Sequence, residues 1–125
     1  MRKNFLLFTL LLLPIAPATQ LLADDHPPLA VLEEGRALVS RTISDLSRAS
    51  RLDNVSGKER ERFHNAMNSL SKMDRRVSRN HYEKDDLDDA IKDTQNVVDH
   101  NTLRPEDRDA LAADLGALRD YRRRQ

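Results

Sequence analysis

A group of aspartates in the second half of the chain comes closest to a chemical site. Asp85, Asp86, Asp89 and Asp93 recur at intervals that place pairs of them on common faces of a helix. Their carboxylates suit hard cations, but calcium takes six to eight oxygens wrapped around it, which a regular helix presents poorly. We keep these four as candidate metal ligands. We expect the group to form mainly a solvated face that complements the helix dipole.

The histidines give a weaker indication of a metal or haem site. His26, His64, His81 and His100 include no pair at the i, i+4 spacing of ligands on one helix, and the chain has no cysteine. Met67 lies on the same segment as His64, whereas an axial haem pair in a bundle comes from facing helices. We therefore expect surface histidines and no bound cofactor.

The sequence gives little support for catalysis. It contains no nucleophile elbow, phosphate-binding loop, zinc-protease motif or dinucleotide fingerprint. Paired carboxylates do acid–base work only where a cleft raises one pKa, and a small bundle with a polar surface offers no obvious cleft. We expect a protein that is not an enzyme and has no small-molecule substrate.

The elements that position these residues are helical. Apolar residues return every three or four positions in four segments, at about 28–51, 57–79, 83–100 and from 105 onward. The predicted core stripes are Leu32, Val39, Ile43 and Leu46; Phe63, Ala66, Met67, Leu70, Met73 and Val77; Leu87, Ala90, Ile91, Thr94 and Val98; and Leu111, Leu115 and Leu118.

Helix-start signals and short loops define the architecture. Ser56 and Glu59 have the spacing of a capping box, and Pro105 suits a first helical position. Gly35 falls on the buried face of the first segment, where a missing side chain would allow close helix approach. Short connections make consecutive helices antiparallel neighbours. The fold class is therefore all-α, a small antiparallel bundle of about four helices.

Charge is distributed unevenly between the second and third segments. The second is net basic and the third net acidic, so an antiparallel hairpin would bring opposite charges together at the shared end. Exposed pairs contribute about 0–1 kcal/mol each, which sets register more than stability. The residues concerned are Arg75, Arg76 and Arg79 against Asp85, Asp86 and Asp89.

The first residues predict export. Arg2 and Lys3 precede an apolar run over residues 5–13, followed by Pro14 and small residues, which is typical of a secretory signal peptide. We prefer cleavage after Ala23, giving a signal peptide at 1–23 and one helical domain at 24–125, with Ala18 as the competing position. An uncleaved anchor is the alternative, because the apolar stretch extended to residue 22 approaches a membrane-spanning length.

Composition narrows the function further. The chain has 21 basic and 21 acidic side chains, and loss of residues 1–23 leaves 19 basic ones, too few for a general nucleic-acid binder. We predict a periplasmic or secreted, most simply bacterial, non-enzymatic protein. It would act by protein–protein interaction with an envelope partner or by self-association, without membrane insertion after cleavage. The alternative is an envelope metal-binding or metal-responsive module that uses the acidic and histidine side chains.

Overall fold

The computed structural model describes residues 28–125, and this part of the chain is helical. The helices are α1 (Leu29–Ala49), α2 (Gly57–Val77), α3 (Lys84–His100) and α4 (Pro105–Arg123). The predicted signal peptide at 1–23 and both predicted cleavage positions lie outside the described residues.

The four helices form an antiparallel bundle. α1 contacts α2 and α4, and α3 contacts the same two helices, while the diagonal pairs make no such contacts. This is the arrangement of an up-down-up-down bundle, in which each helix packs beside its neighbours in the chain and the last returns beside the first. The predicted all-α bundle is confirmed.

The core follows the predicted stripes closely. The stripe positions on α2 are buried except Met67, which is half-buried like Ile43 on α1 and Ile91 and Val98 on α3. On α4 the core continues past Leu118 to Tyr121, which is fully buried. The apolar side chains of the core are Leu32, Val39, Leu46, Ala49, Phe63, Ala66, Leu70, Met73, Val77, Leu87, Ala90, Val97, Leu111, Leu115, Leu118 and Tyr121.

Local signals account for the helix ends. The Ser56 hydroxyl accepts from the Glu59 backbone N–H at 3.1 Å, and the Glu59 carboxylate accepts from the Ser56 N–H at 3.0 Å, so the predicted capping box is present. The same Glu59 carboxylate accepts from the Thr102 N–H, and these hydrogen bonds lower the pKa of Glu59 to about 2. One side chain thus caps α2 and ties it to the α3–α4 connection.

Gly35 allows α1 and α4 to approach closely. A Cβ built at this position would lie 2.7 Å from the Tyr121 hydroxyl oxygen and 3.0 Å from the adjoining ring carbon. The Tyr121 hydroxyl in turn donates to the Val31 carbonyl at 2.8 Å. The glycine therefore makes room for the largest buried side chain of the bundle.

Candidate functional site

The flank of α1 that packs against α4 is closed by charged side chains. Asp107 is buried on α4, and its two oxygens accept from Arg48 Nε at 3.2 Å and Arg104 Nε at 2.7 Å. Both arginines are half-exposed. The Asp107 carboxylate therefore lies in the core, while the two guanidinium groups that hold it reach into water. Asp107 lies in the first turn of α4.

A second buried carboxyl, Asp114, lies further along the same flank. Arg41 Nε donates to Asp114 Oδ1 at 2.8 Å, whereas Asp114 Oδ2 has no hydrogen-bond donor among the described residues. Asp45 on α1 lies within hydrogen-bonding reach of Asp114 and also accepts from Arg48. Burial raises the pKa of Asp114 to about 7, and the neighbouring Asp45 carboxyl adds a smaller upward contribution. Arg41 acts in the opposite direction and lowers this pKa.

The predicted acidic candidates on α3 are not brought together. Asp86 is buried, and its oxygens lie 3.0 Å from Arg76 Nη1 and 3.6 Å from Lys72 Nζ. Asp93 accepts from the Ser69 hydroxyl, while Asp85 and Asp89 are exposed. Asp86 and Asp89 line a cavity of about 160 Å³ between α2 and α3, but the Lys72 ammonium lines it too and opposes a cation.

The predicted charge pairing between α2 and α3 is therefore formed mainly by one aspartate. Arg76 pairs with Asp86 and lies 4.0 Å from Glu83, whereas Arg75 and Arg79 are exposed and make no ion pair within residues 28–125. Positions 72 and 76 share the flank of α2 that faces α3, and positions 75 and 79 point outward because they are offset by one residue. The expectation of a solvated acidic face was wrong for Asp86.

The opposite flank of α1, toward α2, is open. We call this concave face the α1–α2 groove, and it contains two hollows. The first, the polar hollow, has a volume of about 490 Å³, and its wall carries the Arg36–Asp74 pair, whose atoms lie 3.9 Å apart. It is lined by Glu33, Arg36, Ala37, Ser40, Ile43, Ser44 and Asp74.

The second, the apolar hollow, lies where the α1–α2 connection meets α2. It has a volume of about 450 Å³ and four apolar lining residues, of which Leu52, Val55 and Met67 are only half-buried. Arg60 and His64 add a basic and an imidazole group, and no carboxylate lines it. The full lining is Ser50, Leu52, Val55, Arg60, Phe63, His64 and Met67. An apolar hollow with a basic edge suits an apolar side chain that has acidic neighbours.

The histidines of the described chain are dispersed. His64 Nε2 is hydrogen-bonded to Asn68 at the edge of the apolar hollow, His81 pairs with Glu83 beyond α2, and His100 is exposed at the end of α3. His26 lies outside the described residues. Like His100, His64 and His81 are exposed.

Sequence reasoning missed the α1–α2 groove. We expected no obvious cleft, whereas two hollows open between α1 and α2. The available signal was the α1–α2 connection, where Leu52 and Val55 are apolar residues within a turn of polar ones. Apolar residues in a loop indicate either a core contact or a binding surface.

Within residues 28–125, no group of three histidine or carboxylate side chains could hold a metal ion. None of the described helices is both long and apolar enough to cross a membrane. Comparisons of the chain with protein-family models, with curated proteins and with solved structures give no match.

Proposed function

We propose that this is an exported, non-enzymatic bacterial protein that binds another protein surface in the α1–α2 groove. The apolar hollow carries the proposal. Its half-buried Leu52, Val55 and Met67 form an apolar surface that a partner side chain would shield further from water.

The rest of the described surface supports the same location. Many of its charges are already paired, as between Arg122 and Asp88 or Arg124 and Glu34. Among residues 28–125, Leu29 is the one large apolar side chain that is mostly exposed to solvent. The apolar hollow of the α1–α2 groove therefore offers an apolar lining to a partner.

The basic edge gives the partner's chemistry. Arg60 and His64 line the hollow without a carboxylate beside them, so an apolar anchor flanked by acidic residues would complement it. Charge complementarity of this kind contributes mainly to specificity and association rate. The buried anchor contributes most of the affinity.

Site-specific photo-crosslinking in cells that express the full chain tests the location. A photoreactive residue at Ser50, exposed at the edge of the apolar hollow, should give a defined protein adduct, while one at the exposed Ala113 on α4 should not. The reversal Arg60→Glu should reduce the Ser50 adduct without changing the melting temperature. Equal adducts at both positions, or none at Ser50, would contradict the proposal.

Export is tested on the same cells. The periplasmic or secreted product should have the intact mass of a chain that begins at Asp24, or at Thr19 if the competing position is cleaved. A full-length product that remains in the cytoplasm or membrane would refute the export part of the proposal. Binding in the groove would then still be tested by the crosslinks from Ser50 and Ala113.

A further inference from the structure

The one exposed large apolar side chain of the described chain lies on the same face as the groove. Leu29, at the start of α1, has 66 % of its surface exposed. Leu29, Arg36 and Ser40 recur at intervals that keep them on one side of the helix, and the latter two line the polar hollow. Leu29 therefore projects at one end of the groove, and the apolar hollow lies at the other.

The spacing of these two features can be read along the antiparallel helices. The Arg36–Asp74 pair marks one common level of α1 and α2. From that level, Leu29 lies roughly 10 Å away along α1 and Phe63, in the apolar hollow, lies roughly 16 Å away in the opposite direction. The midpoint between them falls close to the level of Ala37 and Ser40, within the polar hollow.

This geometry makes the face complementary to itself. Resting on the proposed function, we propose that the partner is a second copy of this chain, docked about a two-fold axis through the polar hollow. Leu29 of each copy then enters the apolar hollow of the other, which satisfies the rule that a two-fold interface uses the same patch twice.

Charge around the axis is consistent with this pairing. The polar hollow carries both signs, with Arg36 beside Glu33 and Asp74. Because the two faces are antiparallel across the axis, Arg36 of one copy can approach the Asp74 carboxylate of the other. At the ends, Glu33 accompanies Leu29 toward the partner's basic edge at Arg60.

The size of the face sets the strength to expect. A two-helix face roughly 30 Å long and about 20 Å wide covers on the order of 600 Å² per copy. Twice that area lies at the lower end of specific interfaces, so we expect a dimer that forms in the micromolar range.

Sedimentation equilibrium of the protein purified from cells expressing the full chain provides the first test. The wild type should show a reversible monomer–dimer equilibrium, and Leu29→Asp should weaken it more than about tenfold. Ala113→Asp on α4 is the control, since it adds the same charge at an exposed position away from the groove. Both variants should melt like the wild type when monomeric.

Disulfide trapping provides the geometric test, because the chain has no cysteine of its own. Equal amounts of a Leu29→Cys variant and a Val55→Cys variant, mixed under mild oxidation, should yield mainly the mixed disulfide. A statistical mixture of homodimers and heterodimers would overturn the two-fold arrangement, as would equal weakening by Leu29→Asp and Ala113→Asp.

The two proposals fail in different ways. A strictly monomeric protein refutes the second copy, yet a Ser50 adduct with the mass of a different protein would still support groove binding. An adduct of twice the chain mass at Ser50, together with monomer–dimer sedimentation, supports both. If Ser50 gives no adduct and the protein does not dimerise, both groove binding and the second-copy proposal are refuted.

Discussion

The two flanks of α1 are built differently. Toward α4, Gly35 receives the Tyr121 ring, and Asp107 and Asp114 bring buried carboxyls to arginines on α1. Toward α2, the outer edge is lined by short side chains such as Ala37 and Ser40 and opens into two hollows. A single helix thus closes the bundle with one flank and leaves the other open to solvent.

The flank toward α4 is held by buried carboxylates, whereas the outer edge toward α2 is spanned by an exposed ion pair. Burying a carboxylate costs free energy unless charged partners hold it, and Arg48 and Arg104 do so for Asp107. Such pairs fix which helices meet and in which register. The open flank has a single long-range ion pair across its outer edge, Arg36–Asp74 at 3.9 Å, and that pair is exposed. Substitutions on the closed flank should therefore affect folding, and those on the open flank should affect association.

The largest expected difference between the flanks concerns Tyr121 and Met67. Tyr121→Ala should lower the free energy of unfolding by about 3–5 kcal/mol, the range for removing a large aromatic side chain from a core. Met67→Ala should cost roughly 1 kcal/mol, because half-buried Met67 already contacts water. Urea denaturation measures both values. Equal losses would remove the distinction between a closed and an open flank.

Two glycines sharpen the account of close packing. Gly35→Ala should destabilise the protein by about 1–3 kcal/mol, since the new methyl would overlap the buried Tyr121 hydroxyl. Gly116→Ala, on the exposed face of α4 with no atom near the new methyl, should stabilise it by about 0.5–1 kcal/mol through helix propensity. Thermal melting of both variants gives the signs. A stabilising Gly35→Ala would show that α1 and α4 are less tightly packed here.

The Asp45–Asp114 pair makes the closed flank sensitive to pH. The folded-state pKa of Asp114 is raised to about 7 from 3.8, so between these values the folded protein binds more protons than the unfolded chain. The free energy of unfolding should therefore contain a contribution that declines as pH rises from about 4 to about 7 and is absent above that.

Asp114→Asn isolates this contribution, because the amide still accepts from Arg41 and can donate to Asp45. The melting temperature of the variant minus that of the wild type should increase with pH up to about 7 and then level off. Asp109→Asn, at an exposed position on the same helix, is the control. A difference that does not vary with pH would contradict the raised pKa of Asp114.

The smallest expected effect concerns the exposed ion pair of the open flank. Arg36→Ala should change the free energy of unfolding by no more than about 1 kcal/mol, since both members of the Arg36–Asp74 pair are in contact with solvent. Arg48→Ala should cost more, because Arg48 holds both Asp45 and Asp107. Chemical denaturation of the two variants compares them, and a larger loss for Arg36→Ala would reverse the roles of the flanks.

Much of the fold could be predicted from local sequence. The four helices, the Ser56–Glu59 capping box and Pro105 at the start of α4 depend on neighbours within a few residues. The apolar stripes gave most of the core for the same reason. Ile43 and Met67 belong to those stripes yet are half-buried. The spacing of apolar residues along one helix does not reveal how far a neighbouring helix covers the edge of the stripe.

The groove and the buried carboxyls could not be predicted in this way. Asp114 and Asp107 look like surface residues of α4 until Arg41 and Arg48, on a helix far away in the chain, are placed beside them. Tyr121 sits among arginines in the sequence, and its burial depends on the space left by Gly35. The hollows arise from the fit between α1, the loop after it and α2, which periodicity alone does not describe.

The most direct test of the two-flank account is a dilution series followed by amide NMR signals. Raising the protein concentration should shift the signals of Leu29, Ser40, Val55 and Met67 along one binding curve, while that of Asp114 on the closed flank stays in place. Shifts centred on the α1–α4 flank, or spectra that do not change with concentration, would contradict the claim that the open flank receives a second copy.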